Sequence, residues 1–212
     1  MFKGTPKIVA QRREEIVNAC EQLYQTMSFK DITLKEISSV TSFSRPTIYN
    51  YFQTKEEIFL ALFEREYDRW NEDLEKILSS DKVFSRAELA EQIAKSLERR
   101  TQLLRLLSMN NYDMEENSRK ELLASFKRAY GKSLTLFREI LRKHTSGMSD
   151  AEVEQIMYVF FPFMFGIYPY AEVTAKQKEA MKEAEIDYKY QSIYEITYNC
   201  LTRLLRGDEI NE

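Results

Sequence analysis

Glycine occurs only five times and proline four times among the 212 residues. That scarcity removes most of the turn chemistry on which hairpins and β-sandwiches depend. The two cysteines, Cys20 and Cys200, stand far apart in no CxxC or metal-like spacing. They read as reduced residues packed in helices, and no metal is expected. Histidine appears once, as His144 beside Arg142 and Lys143, where cations complement the negative end of a long helix. No nucleophile elbow, phosphate loop or dinucleotide fingerprint occurs. Carboxylate pairs such as Glu14–Glu15 and Glu56–Glu57 are adjacent, so they point in different directions on a helix. The chain reads as non-enzymatic and without a cofactor.

A signal peptide is also missing, because Met1 to Ile8 has no apolar segment. The long uncharged run "IMYVFFPFMFGIYPYA", Ile156 to Ala171, falls short of the roughly 20 residues of a spanning helix. It also contains Pro162, Gly166 and Pro169 and is flanked by Glu154 and Glu172. It reads as a buried helix of a soluble core, with no membrane partner, and the expected compartment is the cytoplasm.

What remains is apolar residues at 43% and charged residues at 31%, with abundant Leu, Glu, Lys, Ala and Arg, which argues for an all-α protein. Helix starts are marked by Ser or Thr three residues before Glu, the capping-box pattern, at Thr33/Glu36, Thr54/Glu57, Ser85/Glu88 and Ser149/Glu152. Thr5 followed by Pro6 marks another start. About nine helices are predicted: near 6–27, 33–40, 44–51 and 54–79, one or two over 85–110, a long one over 113–144 interrupted only by Gly131, the aromatic one over 149–169, and a last one near 186–206. The charged stretch "TAKQKEAMKEAE" is expected to link the final two.

Net charge is −3 overall, but residues 1–55 hold eight Lys/Arg against five Asp/Glu, a net of +3. The rest holds 23 against 29, a net of −6. A basic head on an acidic body is compatible with DNA at one end. Residues 33–52 have the proportions of a helix-turn-helix: a capped helix of two turns, a four-residue turn, and a second short helix behind Ser44. Leu34, Ile37, Val40, Phe43, Ile48 and Phe52 would form its core. Ile48 and Phe52 share a face, leaving Pro46, Thr47, Tyr49 and Asn50 outward and Tyr51 on a flank. Arg45 and Thr47 lie at the end of the helix that reaches base edges, and outward tyrosines can meet phosphate and sugar.

The stretch "ITLKEISSVTSFSRPTIYNYFQTKEEIF", Ile32 to Phe59, resembles the DNA-binding head of the TetR family of bacterial transcriptional regulators. Its end, "TIYNYFQTKEEIF", matches the family's aromatic recognition helix followed by Lys. The resemblance implies that Thr33 and Lys35 approach phosphate or base, that Arg45 and Thr47 read base edges, that Tyr49 and Tyr51 hold phosphates, and that Lys55 adds charge. The family commonly carries Gly in the turn where this chain has Ser42. A left-handed non-Gly residue there would cost roughly 1–2 kcal/mol.

The resemblance further implies a helix-turn-helix DNA-binding domain over 1–53 and a helical ligand-binding and dimerisation domain over 54–212. Met109, Tyr112, Phe126, Tyr130, Phe160 and Met164 are candidates to line a pocket for a small, largely apolar effector. Tyr158, Phe161, Phe165, Tyr194, Thr197 and Leu201 are candidates for the homodimer interface. The implied function is a ligand-responsive repressor that binds a palindromic double-stranded operator as a homodimer. The alternative is a helical ligand-binding or interaction module without sequence-specific DNA binding.

Overall fold

The computed structural model describes residues 5–109 and 111–206. Among them are eleven helices and no strand: α1 Pro6–Thr26, α2 Leu34–Ser39, α3 Arg45–Ile48, α4 Lys55–Leu78, α5 Arg86–Glu98, α6 Thr101–Leu107, α7 Asn111–Glu116, α8 Lys120–His144, α9 Asp150–Ala171, α10 Ala175–Glu183 and α11 Ile193–Leu204. The chain divides into two compact units. The first comprises Met1–Arg65 with Asn110–Ala129, and the second Glu66–Met109 with Tyr130–Glu212. No single helix among the described residues is long and apolar enough to cross a membrane.

In the first unit, α1 turns Ile16, Val17, Ala19, Cys20 and Tyr24 inward. They meet Ile32, Leu34 and Ile37, then Ile48 and Phe52, and the N-terminal half of α4 through Ile58, Phe59, Leu62 and Phe63, all buried. Phe59 takes the edges of Tyr24 and Phe29 at 5.2 and 4.7 Å. Phe126 of α8 lies 4.9 Å from Phe63. Side chains of this size contribute about 1.5–3 kcal/mol each when fully buried, so a short helix such as α2 is held by packing rather than by propensity. Val40, expected in this core, is exposed instead, because α2 ends at Ser39 and the chain has left helical geometry there.

The second unit is built on aromatic side chains. Phe137 and Phe160 stack at 4.9 Å, Trp70 and Tyr130 approach Phe161 at 6.0 and 5.9 Å, and Tyr67 meets Tyr130 at 5.5 Å. α5 packs on α11, and α9 packs on both α6 and α11. Two buried polar pairs tie its helices together, as burial favours: Trp70 Nε1 donates to Ser96 Oγ at 3.0 Å, and Ser133 Oγ donates to Asn71 Oδ1 at 2.6 Å.

Three expectations change. The long helix expected from 113 breaks before Lys120, at residues 117–119, and Gly131 lies within uninterrupted α8. The stretch expected to be a linker forms α10, whose start is capped by Thr174 accepting from the Gln177 N–H. The last helix starts at Ile193, behind a full capping box of Ser192 and Glu195. Eleven helices therefore replace about nine, because short polar helices carry little apolar periodicity.

Candidate nucleic-acid interface

The turn between α2 and α3 is built from α1. Glu15 Oε1 accepts from the Ser42 N–H at 2.8 Å and from Ser42 Oγ at 2.6 Å. These bonds hold the Glu15 carboxyl below its ordinary range, the Ser42 hydroxyl contributing most. Among the described non-glycine residues only Glu185 has a positive φ. The expected left-handed strain at Ser42 is therefore absent, and the turn reaches its shape by side-chain bonding.

α3 is a single turn. Ser44 precedes it in extended geometry, Pro46 sits in its first turn, and Ser44 Oγ shares a hydrogen bond with Thr47 Oγ1 at 3.0 Å. Ile48 and Phe52 are fully buried. Arg45, Pro46, Tyr49 and Asn50 are exposed, and Thr47 is half-buried. Arg45 Nη2 donates to Tyr49 Oη at 3.2 Å, and its guanidinium carbon lies 5.8 Å from the Tyr49 ring centre. The pair is spaced i, i+4 on one face, which presents a charge and a ring side by side. Thr33 and Lys35 are exposed at the start of α2, where Thr33 Oγ1 accepts from the Lys35 N–H at 3.2 Å.

Two of the proposed DNA contacts are placed otherwise. Tyr51 is only 6% exposed. Its hydroxyl accepts from Arg12 Nη1 at 3.2 Å, and its carbonyl accepts from Arg13 at 3.4 Å and Arg119 at 3.1 Å. The ring anchors α3 to α1 rather than lying on a free flank. Lys55 Nζ donates to the Phe29 carbonyl at 2.8 Å and lies 4.2 Å from the Phe29 ring, so its charge is engaged within the unit. Sequence reading did not identify Arg12, Arg13, Glu15, Glu57 or Arg119 as organisers of this region. Arg12 and Arg13 sit in the basic head, which was a signal; Arg119 lies far along the chain, with none.

The pocket candidates divide between the two units. Tyr130, Phe160 and Met164 belong to the second unit, where Phe160 and Met164 are buried, and Met109 is half-buried in the same unit. Phe126 packs in the first unit, and Tyr112, also there, is 84% exposed. The interface candidates split by helix face. Tyr158 is 82% exposed and Phe165 is also exposed, while half-buried Tyr194 stacks on Tyr198 at 5.7 Å. Phe161, Thr197 and Leu201 are buried within their own unit and are not available to a partner, a correction to the expected set.

A helix-turn-helix with an outward basic and aromatic face, continued by an all-helical body, defines a class of DNA-binding regulator. Residues 16–62 match the family model of bacterial regulatory proteins, tetR family. Residues 64–207 match that of the tetracyclin repressor-like C-terminal domain. The chain belongs to the TetR family of transcriptional regulators. No curated protein sequence matches it. Among similar solved structures, a possible TetR family transcriptional regulator from Streptomyces coelicolor A3(2) is 14% identical, with 92% of this chain and 98% of that one covered at a TM-score of 0.63. Thermus thermophilus FadR, a repressor in complex with lauroyl-CoA, is 20% identical, covering 94% and 96% at 0.60. Bacillus subtilis FadR, in complex with stearoyl-CoA, is 16% identical, covering 92% and 98% at 0.56.

Proposed function

We propose that this regulator binds a palindromic operator as a homodimer, represses from it, and is released by a small, largely apolar effector. It works without catalysis, in the cytoplasm. The observation that carries the DNA reading is the outward face of α3, where Arg45 and Tyr49 are exposed together above a fully buried Ile48 and Phe52. In a dimer, two such helices would enter successive major grooves about 34 Å apart. The effector would act by preferring a conformation in which that spacing is wrong, and its leverage equals its differential affinity for the two states. The two FadR structures are complexes with lauroyl-CoA and stearoyl-CoA; the acyl chain is the apolar part of such a molecule, so lauric acid beside lauroyl-CoA is a first pair of probes for this chain.

Selection of bound duplexes from a random pool tests the reading. A palindrome is the expected product, and a pool no different from background would sink it. With the selected duplex, Arg45→Ala is expected to cost about 1–3 kcal/mol and to relax the preference at one base position. An equal loss on every duplex would make Arg45 a backbone contact instead.

A further inference from the structure

The first unit is completed by a segment from the middle of the sequence, Asn110–Ala129. Arg119, between α7 and α8, is the residue through which that segment holds α3. Its Nε donates to Glu57 Oε1 at 2.6 Å and its Nη2 to Glu57 Oε2 at 2.8 Å. Its backbone N–H donates to Glu57 Oε1 at 3.1 Å. The same Nη2 reaches the Tyr51 carbonyl, just beyond the C-terminal end of α3, at 3.1 Å. Glu57 is buried, and its Oε2 also accepts from the Gln53 N–H at 2.7 Å. The planar guanidinium fork suits this geometry, since it can serve both oxygens of a carboxylate while a nitrogen reaches a third acceptor. Further bonds dock the same segment along α4: Thr54 Oγ1 donates to the Asn117 carbonyl at 3.0 Å, and Ser125 Oγ donates to Glu64 at 2.6 Å.

A one-turn helix cannot fix its own direction, because its few internal bonds leave both ends free to fray. α3 is held from outside instead. At its start, Glu15 holds Ser42; at its end, Arg119 and Arg13 hold the Tyr51 carbonyl. We propose that Arg119 is a positioning residue for DNA recognition: by clamping Tyr51 to Glu57 it sets the angle at which Arg45, Thr47, Tyr49 and Asn50 are presented to DNA. The proposal rests on the operator-binding reading above. Arg119 touches no DNA itself.

The experiment measures affinity for the selected operator and for a scrambled duplex across a salt series, using full-length wild type, Arg119→Gln and Arg119→Lys. Positioning predicts that Arg119→Gln weakens operator binding at least about tenfold and leaves scrambled-duplex binding within about twofold. The slope of log affinity against log salt should stay unchanged, because no phosphate contact is lost. Arg119→Lys should rescue little, since an ammonium lacks the fork. Full rescue by Lys, or a slope reduced by about one, would make Arg119 a direct phosphate contact and overturn the proposal. An unchanged operator-to-scrambled ratio in folded Arg119→Gln would make it merely structural. Should that variant fail to fold, Arg119→Lys decides in the same terms: a fall in the ratio supports the clamp, and an unchanged ratio overturns it. Failure of the wild type to select any duplex would instead remove the operator reading, and the clamp's role with it.

Discussion

Ser42 gives Glu15 two hydrogen bonds where a family relative would commonly place glycine. Because φ at Ser42 is not positive, glycine would relieve nothing there. It would delete the hydroxyl bond and loosen the unfolded chain. Ser42→Gly is therefore expected to lower stability by about 1 kcal/mol in thermal melts, and a gain in stability would refute this account of the turn. The Glu15 contribution carries a pH signature. A depressed carboxyl stabilises fully above its unfolded pKa and ceases to do so as pH falls through its folded value. His144 has a comparable signature in the second unit. Its Nδ1 accepts from the Phe84 N–H at 3.1 Å, which requires the neutral ring. Burial, then the Lys143 charge, hold its pKa below the ordinary value, against an opposing backbone bond at Ile77. Because the folded pKa is the lower one, stability is whole above the unfolded value of about 6.5 and declines as pH drops below it. Melting between pH 7.5 and 5.5 should show that decline in wild type and a weaker one in His144→Phe; equal slopes would refute it. These residue roles show what the sequence could convey. Of the outward set Pro46, Thr47, Tyr49 and Asn50, all but half-buried Thr47 are exposed, and the set was legible because helical periodicity fixes it relative to Ile48 and Phe52. Tyr51 and Lys55 were not, because their partners Arg12, Arg119 and Phe29 are brought close only by folding.

At the scale of elements, local bonding was readable and its consequences were uneven. Ser85 and Ser149 each close a full capping box with the Glu three residues on. Thr54 caps Glu57 N–H at 3.1 Å, but the Glu57 carboxylate serves Gln53 and Arg119 rather than returning to Thr54. That difference is invisible in a four-residue pattern, since it depends on a residue in another part of the chain. α10 was misjudged for the opposite reason, and α11 only in its start. Thr174 with Gln177 fits a cap, yet its polar surroundings suggested a linker, whereas the helix behind Ser192 and Glu195 was expected and only its start was set too early, near 186. α10 is a helix that buries nothing, whereas α11 buries Ile193, Thr197 and Leu201. Removing their caps should separate the two cases. Thr174→Ala is expected to fray α10 while changing global stability by less than about 0.5 kcal/mol, because an unpacked helix adds little to the cooperative unit. Ser192→Ala is expected to cost about 1 kcal/mol. Denaturant melts measure both, and equal costs would mean that α10 is anchored by contacts other than its own buried surface.

For the molecule as a whole, the family, the all-helical architecture and the helix-turn-helix were legible, because they rest on short-range patterns and a distinctive motif. The proposed self-association surface was harder to read. α9 is apolar nearly all round, so no periodicity in its sequence separates the side facing its own core from an exposed side. The structure separates buried from exposed. Met157, Phe160, Phe161 and Met164 are buried within the second unit, while Ala151, Gln155, Tyr158, Pro162, Phe165 and Pro169 are exposed. Those six recur at alternating intervals of four and three, the spacing of a helix seam that meets another helix. Tyr158 and Phe165, with Val159 and Tyr170 beside them, leave large apolar groups in water, which is characteristic of an interaction face, and a second copy of α9 would cover it symmetrically. On that basis Tyr158→Glu combined with Phe165→Glu should give, in sedimentation, a folded 25.2 kDa protomer whose melting temperature no longer depends on protein concentration, since neither side chain is buried in its own unit. Operator affinity should fall on the order of 100-fold or more, because each half-site would then be bound without the avidity of its twin. A double variant that remained dimeric would place the interface elsewhere. One that became monomeric yet bound the operator unchanged would mean that a single copy of α3 suffices for recognition.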